Sequence, residues 1–189
     1  MSKYSDLVSL SSITPFNVGL SSATEETMIS VLGRPVLPLT VNDQPDHASD
    51  TVKKLKITAK VSSKVRVTGI KPAVQSLKDV LTEVGDSEPK LIDVLSSAGM
   101  LVVRLRRPTS GQPSSKISNH SWGTAVDFSV DGKPPPGYTG QKVPRGIAIL
   151  VPFFNKAGWY SGIAFHDDMH FEVSEETIRK WAQAGDLKA

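Results

Sequence analysis

The seven residues TAVDFSV, at positions 124–130, constrain the fold more than any other stretch of the chain. Apolar and polar side chains alternate there, and this is typical of a β-strand because successive side chains point to opposite faces. One face carries Val126, Phe128 and Val130 and must be the core face. The other face carries Asp127 between two small residues. The alternation therefore predicts a sheet that is buried on one side and presents a carboxylate to a cleft on the other.

Other periodic patterns predict both helices and strands around this strand. Helices are expected at residues 24–32, 73–84, 90–98, 146–158 and 175–184, the fourth broken or bent at Pro152. Strands are expected at residues 100–107 and 170–173, and residues 53–70 are expected to form two strands that turn at Ser62 and Ser63. Loops are expected at residues 41–50, 108–116 and 131–141, which are rich in Gly, Pro and polar residues. The last helix is the best marked, because Ser174 can cap its start and Gly185 can end it.

Length and composition favour one globular domain. A chain of 189 residues with 39% hydrophobic residues can bury a single substantial core. We expect an N-terminal extension over residues 1–50, which wraps or precedes a main domain at residues 51–189. No apolar run approaches the roughly 18 residues that cross a bilayer. The N-terminus lacks the basic start and apolar middle of a secretory signal, so synthesis in the cytoplasm is expected.

A metal site is the best explanation for where the chain places its few histidines. With four histidines and no cysteine, a metal could be held only by His, Asp or Glu. His120 precedes Asp127 by seven positions, and Gly123 between them allows the chain to turn from a loop into the strand. His170 stands in a second polar cluster, HDDMHFE. Two histidines and one carboxylate are a common ligand set for catalytic zinc, which keeps a fourth position open.

Hydrolysis at such a site also needs a base that takes a proton from the attacking water and passes it to the leaving amine. Asp167 and Asp168 are the candidates. In a regular strand Asp168 would share a face with His170 and Glu172, whereas Asp167 would point the other way. Strand geometry alone therefore slightly favours Asp168. For Asp167 to reach the metal, the backbone must turn or bulge before Met169.

Two stretches, SNHSWGTAVDFSVDG and DDMHFEVS, resemble a known family. They are similar to the zinc peptidases that include D-Ala-D-Ala carboxypeptidases, L-Ala-D-Glu endopeptidases and phage endolysins. The family pattern is Ser-x-His, six residues and Asp, and later an acid three positions before a His that is followed by Phe-Glu. It is matched here by Ser118, His120, Asp127, Asp167 and His170. The resemblance spans roughly residues 95–182, about half of the chain.

The resemblance implies a role for each matched residue. His120, Asp127 and His170 would be the zinc ligands, and Asp167 rather than Asp168 would be the general base. Ser118 would hydrogen-bond the substrate backbone or its terminus.

The family also keeps an arginine on a strand ahead of the first histidine, where it binds substrate and stabilises the oxyanion. Arg104 and Arg106 are expected to share a strand face, so either could be that arginine. Arg104 is the first choice, since Arg107 and Pro108 already belong to the end of the strand. His166, directly before the base, departs from the pattern. It either tunes Asp167, binds substrate or has no role.

The fold and function implied are an α+β zinc-peptidase domain, with a small antiparallel sheet and flanking helices, that cleaves the peptidoglycan stem peptide. An L-Ala-D-Glu endopeptidase is favoured over a D-Ala-D-Ala carboxypeptidase, because a protein without a secretion signal fits a lysin that must break crosslinked wall. It would act on the wall after release or delivery, as a monomer. A non-catalytic wall-binding module is the alternative of another class, and the acid at position 167 argues against it.

A run of basic residues precedes these motifs. It comprises Lys53, Lys54, Lys56, Lys60, Lys64 and Arg66. A solvated strand face is the favoured interpretation, and contact with an anionic polymer is the alternative. Nucleic acid is not expected as a partner, because no aromatic residues interleave with these lysines.

Overall fold

The computed structural model describes residues 3–107, 114–136 and 140–188. Its helices are α1 (Glu25–Leu32), α2 (Asp50–Leu55), α3 (Lys71–Ser87), α4 (Pro89–Val94), α5 (Arg145–Lys156) and α6 (Glu175–Ala184). Its strands are β1 (Leu7–Ser9), β2 (Lys56–Lys60), β3 (Arg66–Ile70), β4 (Leu95–Gly99), β5 (Ala125–Val130), β6 (Lys142–Pro144), β7 (Trp159–Ser161) and β8 (His170–Val173). This is an α+β fold, as expected.

The central sheet is antiparallel with strand order β4-β5-β8-β7. Strand β5 confirms the alternation argument, since Val126, Phe128 and Val130 are buried while Asp127 is only partly so. Phe128 packs edge-on against Phe154 of α5, so this helix covers the apolar face of the sheet. The opposite face is left to the polar residues.

Two smaller antiparallel pairs flank this sheet. The β2-β3 hairpin has a register that places Lys60 opposite Arg66, and α3 packs against both of its strands. Strand β1 pairs with β6 and ties the start of the chain to the segment before α5. Helix α1 contacts α6 and places Met28 and Leu32 in the same core as the sheet. Elements within residues 3–50 thus pack against the rest of the chain.

The capping signals of the sequence are used as predicted. Thr24 caps α1 through its side chain, and Ser174 does the same for α6. Gly185 ends α6 in the left-handed conformation with φ 84°. Helix α3 is longer than expected, because Pro72 occupies its first turn, where a missing N–H costs nothing.

Three expectations about local structure were wrong. The helix expected over residues 90–98 ends at Val94, and β4 follows, because an edge of β5 is free to pair with it. Residues 53–55 end α2 instead of starting a strand. Helix α5 is continuous across Pro152, which lies on its exposed face, so the helix is not broken there.

Residues 100–107 do not form the expected strand. They run antiparallel to residues 116–121 but form only an isolated bridge, between Leu105 and Ile117. The facing segment turns into a 3₁₀ helix at Asn119–Trp122, which ends the ladder. Arg104 and Arg106 therefore do not share a strand face. Of the expected loops, residues 108–113 and 137–139 lie outside the described residues.

No helix among the described residues is long and apolar enough to cross a membrane.

Candidate metal centre and active site

Three elements bring the proposed metal ligands together. His120 lies in the 3₁₀ turn Asn119–Trp122, Asp127 in β5, and His170 at the start of β8, directly opposite Asp127 in the strand register. Gly123 ends the turn with φ 64°, and a Cβ there would lie 2.9 Å from the Cα of Gly69. Only glycine fits this position, so the link between His120 and the strand depends on it.

The donor atoms of these residues form a tight triangle. His120 Nε2 and His170 Nδ1 each lie 3.1 Å from Asp127 Oδ1, and the two nitrogens lie 3.3 Å apart. A tetrahedral metal with bonds of about 2.0–2.1 Å separates its ligand atoms by about 3.3–3.4 Å. The triangle therefore has the dimensions of three corners of such a site. Among the described residues, these three form the group of His and acidic side chains that could hold a metal.

Hydrogen bonds on the far side of each ring determine which nitrogen faces the triangle. His120 Nδ1 lies 3.1 Å from the Met100 carbonyl oxygen, and His170 Nε2 lies 2.9 Å from Glu172 Oε2. Because a carbonyl or carboxylate can only accept, these nitrogens carry the protons. In their neutral forms, which metal binding requires, the rings would point lone pairs at each other and at the Asp127 carboxylate. Three converging lone pairs repel one another unless a cation lies between them.

The titration behaviour of the cluster fits a cation site. Burial disfavours a charged His170, but hydrogen bonds to Asp127 and Glu172 outweigh this and raise its pKa to about 10. Burial also opposes ionisation of Asp127, yet hydrogen bonds from His120 and His170 hold its pKa below the usual value. Without a metal, His170 thus keeps a second proton at neutral pH. A metal must displace that proton, so its affinity decreases as the pH falls.

A second layer of side chains supports His170. Glu172, buried with 2% of its surface exposed, accepts from His170, from Ser22 Oγ and from Asn119 Nδ2. Asn119 Nδ2 also donates to the Ala23 carbonyl. Burial opposes the charge on Glu172, but the hydrogen bond with His170 contributes most to lowering its pKa. Glu172 has no role in the sequence-based hypothesis, although its position two residues after His170 on a predicted strand was a usable signal.

The structure separates the two candidate bases. A 3₁₀ helix, Gly162–Phe165, and a left-handed His166 with φ 66° precede Asp167, so no regular strand exists before His170. The regular strand geometry that favoured Asp168 is therefore absent. Asp167 is exposed, whereas Asp168 is 8% exposed and its Oδ2 has no hydrogen-bond partner.

The electrostatic surroundings of the two acids also differ. Burial raises the pKa of Asp167, His170 opposes the rise, and Asp127, His120 and Arg104 also act on its carboxyl. Burial and the charge of Asp167 raise the pKa of Asp168 to about 6, with an opposing effect of His166. Asp167 therefore interacts electrostatically with the three candidate metal ligands. The electrostatic partners of Asp168 are its sequence neighbours Asp167 and His166.

Arg104 is the arginine whose charge interacts with this cluster. Only 9% of the residue is exposed, its Nη1 donates to the Leu105 carbonyl at 3.0 Å, and its Nε has no partner. Burial lowers its pKa, nearby Arg107 lowers it further, and Asp127 and Asp167 oppose this. A buried guanidinium with an unpaired N–H is poised to bind an anionic or carbonyl oxygen.

The two remaining candidates lie on two segments that run alongside each other. Arg106 donates from Nε to the Ile117 carbonyl at 3.3 Å. Ser118 is buried at the start of the 3₁₀ turn, and its backbone N–H donates to the Arg104 carbonyl at 3.1 Å. This bond joins the segment that carries the arginines to the turn that carries His120.

The support given by Glu172 can be measured directly. We expect Glu172→Ala to weaken metal binding by about 10–100-fold, because His170 would lose the group that fixes its orientation and tautomer. Competition with a chromophoric chelator measures this affinity. The matched control is Glu83→Ala, which removes an exposed acid that pairs with Lys156. Equal metal affinity in the two variants would mean that Glu172 does not support His170 as a metal ligand.

Comparison with known proteins identifies the segment that carries this site. Residues 112–173 match the family model described as D-alanyl-D-alanine carboxypeptidase. No curated protein and no solved structure matches the chain. The matched segment contains Ser118, the three candidate metal ligands and Asp167, and ends before α6. The resemblance seen in the sequence is therefore confirmed over this segment, and the match supports a peptidase.

Proposed function

Because residues 112–173 match the D-alanyl-D-alanine carboxypeptidase family, we propose that this protein is a zinc-dependent peptidase that cleaves the stem peptide of peptidoglycan. The observation that carries the proposal is the triangle formed by His120, Asp127 and His170 within the matched segment. Its dimensions suit a tetrahedral ion, and its two imidazoles and one carboxylate suit zinc. The protein would act at the cell wall, after release or delivery from the cell that makes it.

A metal bound at this site would contribute only Lewis-acid chemistry. A bound zinc ion supplies Lewis-acid chemistry, since it polarises a carbonyl group and makes water a better nucleophile at neutral pH. His120, Asp127 and His170 would hold this ion and leave one side open. The Met100 carbonyl and Glu172 keep the two imidazoles in the tautomers that can bind it.

Asp167 would act as the general base. Its carboxylate would take the proton from the attacking water and pass it to the amine of the departing residue. The turn at His166 and the close approach of Gly162 to the Asp167 carbonyl support this assignment, since they fix the backbone on which Asp167 stands. The raised pKa of Asp167 also suits a group that must both accept and return a proton.

Arg104 would stabilise the negative charge that develops on the scissile carbonyl oxygen. Its burial and its unpaired Nε support the role, because a desolvated donor interacts strongly with a developing anion. Ser118 would hydrogen-bond the substrate backbone or its terminus. Arg106 would bind a substrate carboxylate farther from the metal.

We propose the bond between L-Ala and D-Glu as the one cleaved. Residues 164–167 on the rim of the cluster are exposed, and Phe165, 44% exposed, lies 5.6 Å from the ring of His170. An open rim leaves room for a peptide that continues past the scissile bond, and Arg106 would pair with the carboxylate of D-Glu beside it. The second candidate is a D-Ala-D-Ala carboxypeptidase, which the description of the matched family favours.

A binding module that keeps the zinc site but has no turnover is the alternative of another class. Such a module needs the three metal ligands but has no use for a base. The placement of Asp167, where its charge interacts with His170 and Arg104, favours the enzyme.

Digestion of purified sacculi tests the proposal. We expect the zinc-loaded protein to release fragments with a new N-terminal D-Glu, detected by mass spectrometry after labelling of free amines. Free D-alanine as the sole product would replace the endopeptidase with the second candidate. A fully zinc-loaded protein that creates no new termini in sacculi or soluble stem peptides would refute the peptidase itself.

A further inference from the structure

Positive charge is concentrated in one part of the chain that the proposed peptidase activity does not use. Residues 51–78 contain eight basic residues and no acid: Lys53, Lys54, Lys56, Lys60, Lys64, Arg66, Lys71 and Lys78. The whole chain has a net charge of +3, so everything outside this segment carries a net charge of −5. Such segregation indicates a surface that faces an anionic partner.

These cations are exposed and almost unpaired with acids. All eight residues are solvent-exposed in the structure. Among the described residues, the one ion pair that any of them makes joins Lys53 to Asp50 at 4.0 Å. Lys56, Lys60, Lys64 and Arg66, which we call the basic hairpin face, make no such pair within the described part of the chain. Their charges are therefore available to a ligand.

The hairpin register brings two of these cations together. Lys60 of β2 lies directly opposite Arg66 of β3, and like charges in this arrangement destabilise a sheet. Helix α3 starts where β3 ends and has no acid in its first turn, so its positive end adds to the potential. Two like charges held directly opposite each other on an exposed strand pair are consistent with a surface that binds an anion.

A groove beside the basic hairpin face offers hydroxyl groups as well as charge. It has a volume of about 360 Å³ and is lined by Thr58, Arg66, Val67, Thr68 and residues 99–101. The hydroxyls of Thr58 and Thr68 contact each other at 2.7 Å across the strands. A guanidinium next to hydroxyl donors is suited to a phosphate group, whose oxygens accept several hydrogen bonds at once.

We infer that the basic hairpin face and this groove bind a flexible phosphodiester polymer. Single-stranded nucleic acid is a poor fit, because residues 51–78 contain no aromatic side chain on which bases could stack. A membrane surface is a poor fit, because none of the exposed large hydrophobic residues lies in this segment. The groove also borders Met100, whose carbonyl oxygen lies 3.1 Å from His120 Nδ1.

This inference goes beyond the proposed peptidase and does not depend on turnover. For such an enzyme, binding of the polymer would retain the protein on a phosphate-bearing surface that also contains the peptide substrate.

The double variant Lys60→Glu/Arg66→Glu tests this polymer binding, with synthetic poly(glycerol phosphate) as the probe. We expect at least a tenfold loss of affinity at 50 mM salt. The slope of log affinity against log salt should fall by about 1.4, or roughly 0.7 for each lost phosphate contact.

Lys133→Glu/Lys180→Glu is the matched control, since it changes net charge equally at exposed positions on other elements. It should retain most of the affinity and the original salt slope. Equal losses in the two double variants would overturn the inference, because net charge rather than this face would be responsible. Tighter binding to DNA or to anionic vesicles than to the polymer, with the same sensitivity to Lys60→Glu/Arg66→Glu, would overturn the assigned partner. If that variant does not fold by circular dichroism, Lys60→Gln/Arg66→Gln gives the same comparison with a smaller expected loss.

Discussion

Asp167→Ala should lower kcat by about 10³-fold while the protein keeps its fold and its metal. A positioned general base contributes about 10²–10⁴-fold to a rate, and Asp167 is not one of the three residues that surround the metal position. The measurement combines steady-state turnover of a soluble stem peptide with the zinc content of the purified variant. A loss of rate at full zinc occupancy separates the base from a ligand.

Asp168→Ala is the matched control for this experiment. It removes a carboxyl group one position later in the chain. Oδ2 of this group has no hydrogen-bond partner. We expect it to keep at least about a tenth of the wild-type rate, since its resolved electrostatic partners are Asp167 and His166 rather than the metal ligands. The reverse outcome, an active Asp167→Ala and an inactive Asp168→Ala, would assign the base to Asp168.

His120→Ala and His170→Ala should each lose most of the bound zinc. Loss of a group that only supports a ligand costs about 10–100-fold in affinity, so loss of a ligand itself should cost more than about 100-fold. Metal analysis after dialysis measures occupancy. Thermal unfolding gives a second measurement, because zinc at 100 times its Kd stabilises the native protein by about 2.7 kcal/mol. The wild-type Tm should rise on addition of zinc, and that of each variant should not.

His166→Ala serves as the control, since it removes an imidazole four residues from His170 that is not part of the metal cluster. It should keep full zinc occupancy and the zinc-dependent rise in Tm. If His120→Ala and His170→Ala also keep one zinc per chain, the metal is bound elsewhere and the proposed centre is wrong.

Local signals in the sequence predicted the parts of the fold that depend on local chemistry. Helix α6 has a hydroxyl at its start and a glycine at its end, and both are used. Strand β5 has an alternation that only one buried face explains, and this predicted the direction of Asp127. Both elements can be predicted from the local sequence, because caps and alternation act within a few residues.

Long-range pairing decided the parts that the sequence could not predict. Residues 95–99 could be helix or strand, and pairing with β5 makes them a strand. Residues 100–107 have the composition of a strand but face a 3₁₀ turn, so no ladder forms. The sequence indicated only that a turn before Met169 is needed if Asp167 is to reach the metal. It did not predict that the turn forms, because nothing in the sequence alone shows that Gly162 would lie against the Asp167 carbonyl.

The hydrogen bonds of Ser22 and Ala23 have a consequence for how this site could be transferred or shortened. Ser22 reaches Glu172 behind His170, and the Ala23 carbonyl holds Asn119 next to His120. Both lie some ninety residues before the first residue of the matched segment. A chimera that grafts only residues 112–173 onto another scaffold would carry the three candidate metal ligands but leave Glu172 and Asn119 without these contacts, and His120 without the Met100 carbonyl. A portable unit of the candidate metal centre therefore combines Ser22 and Ala23 with a distant segment that starts no later than Met100, and both parts must be moved together.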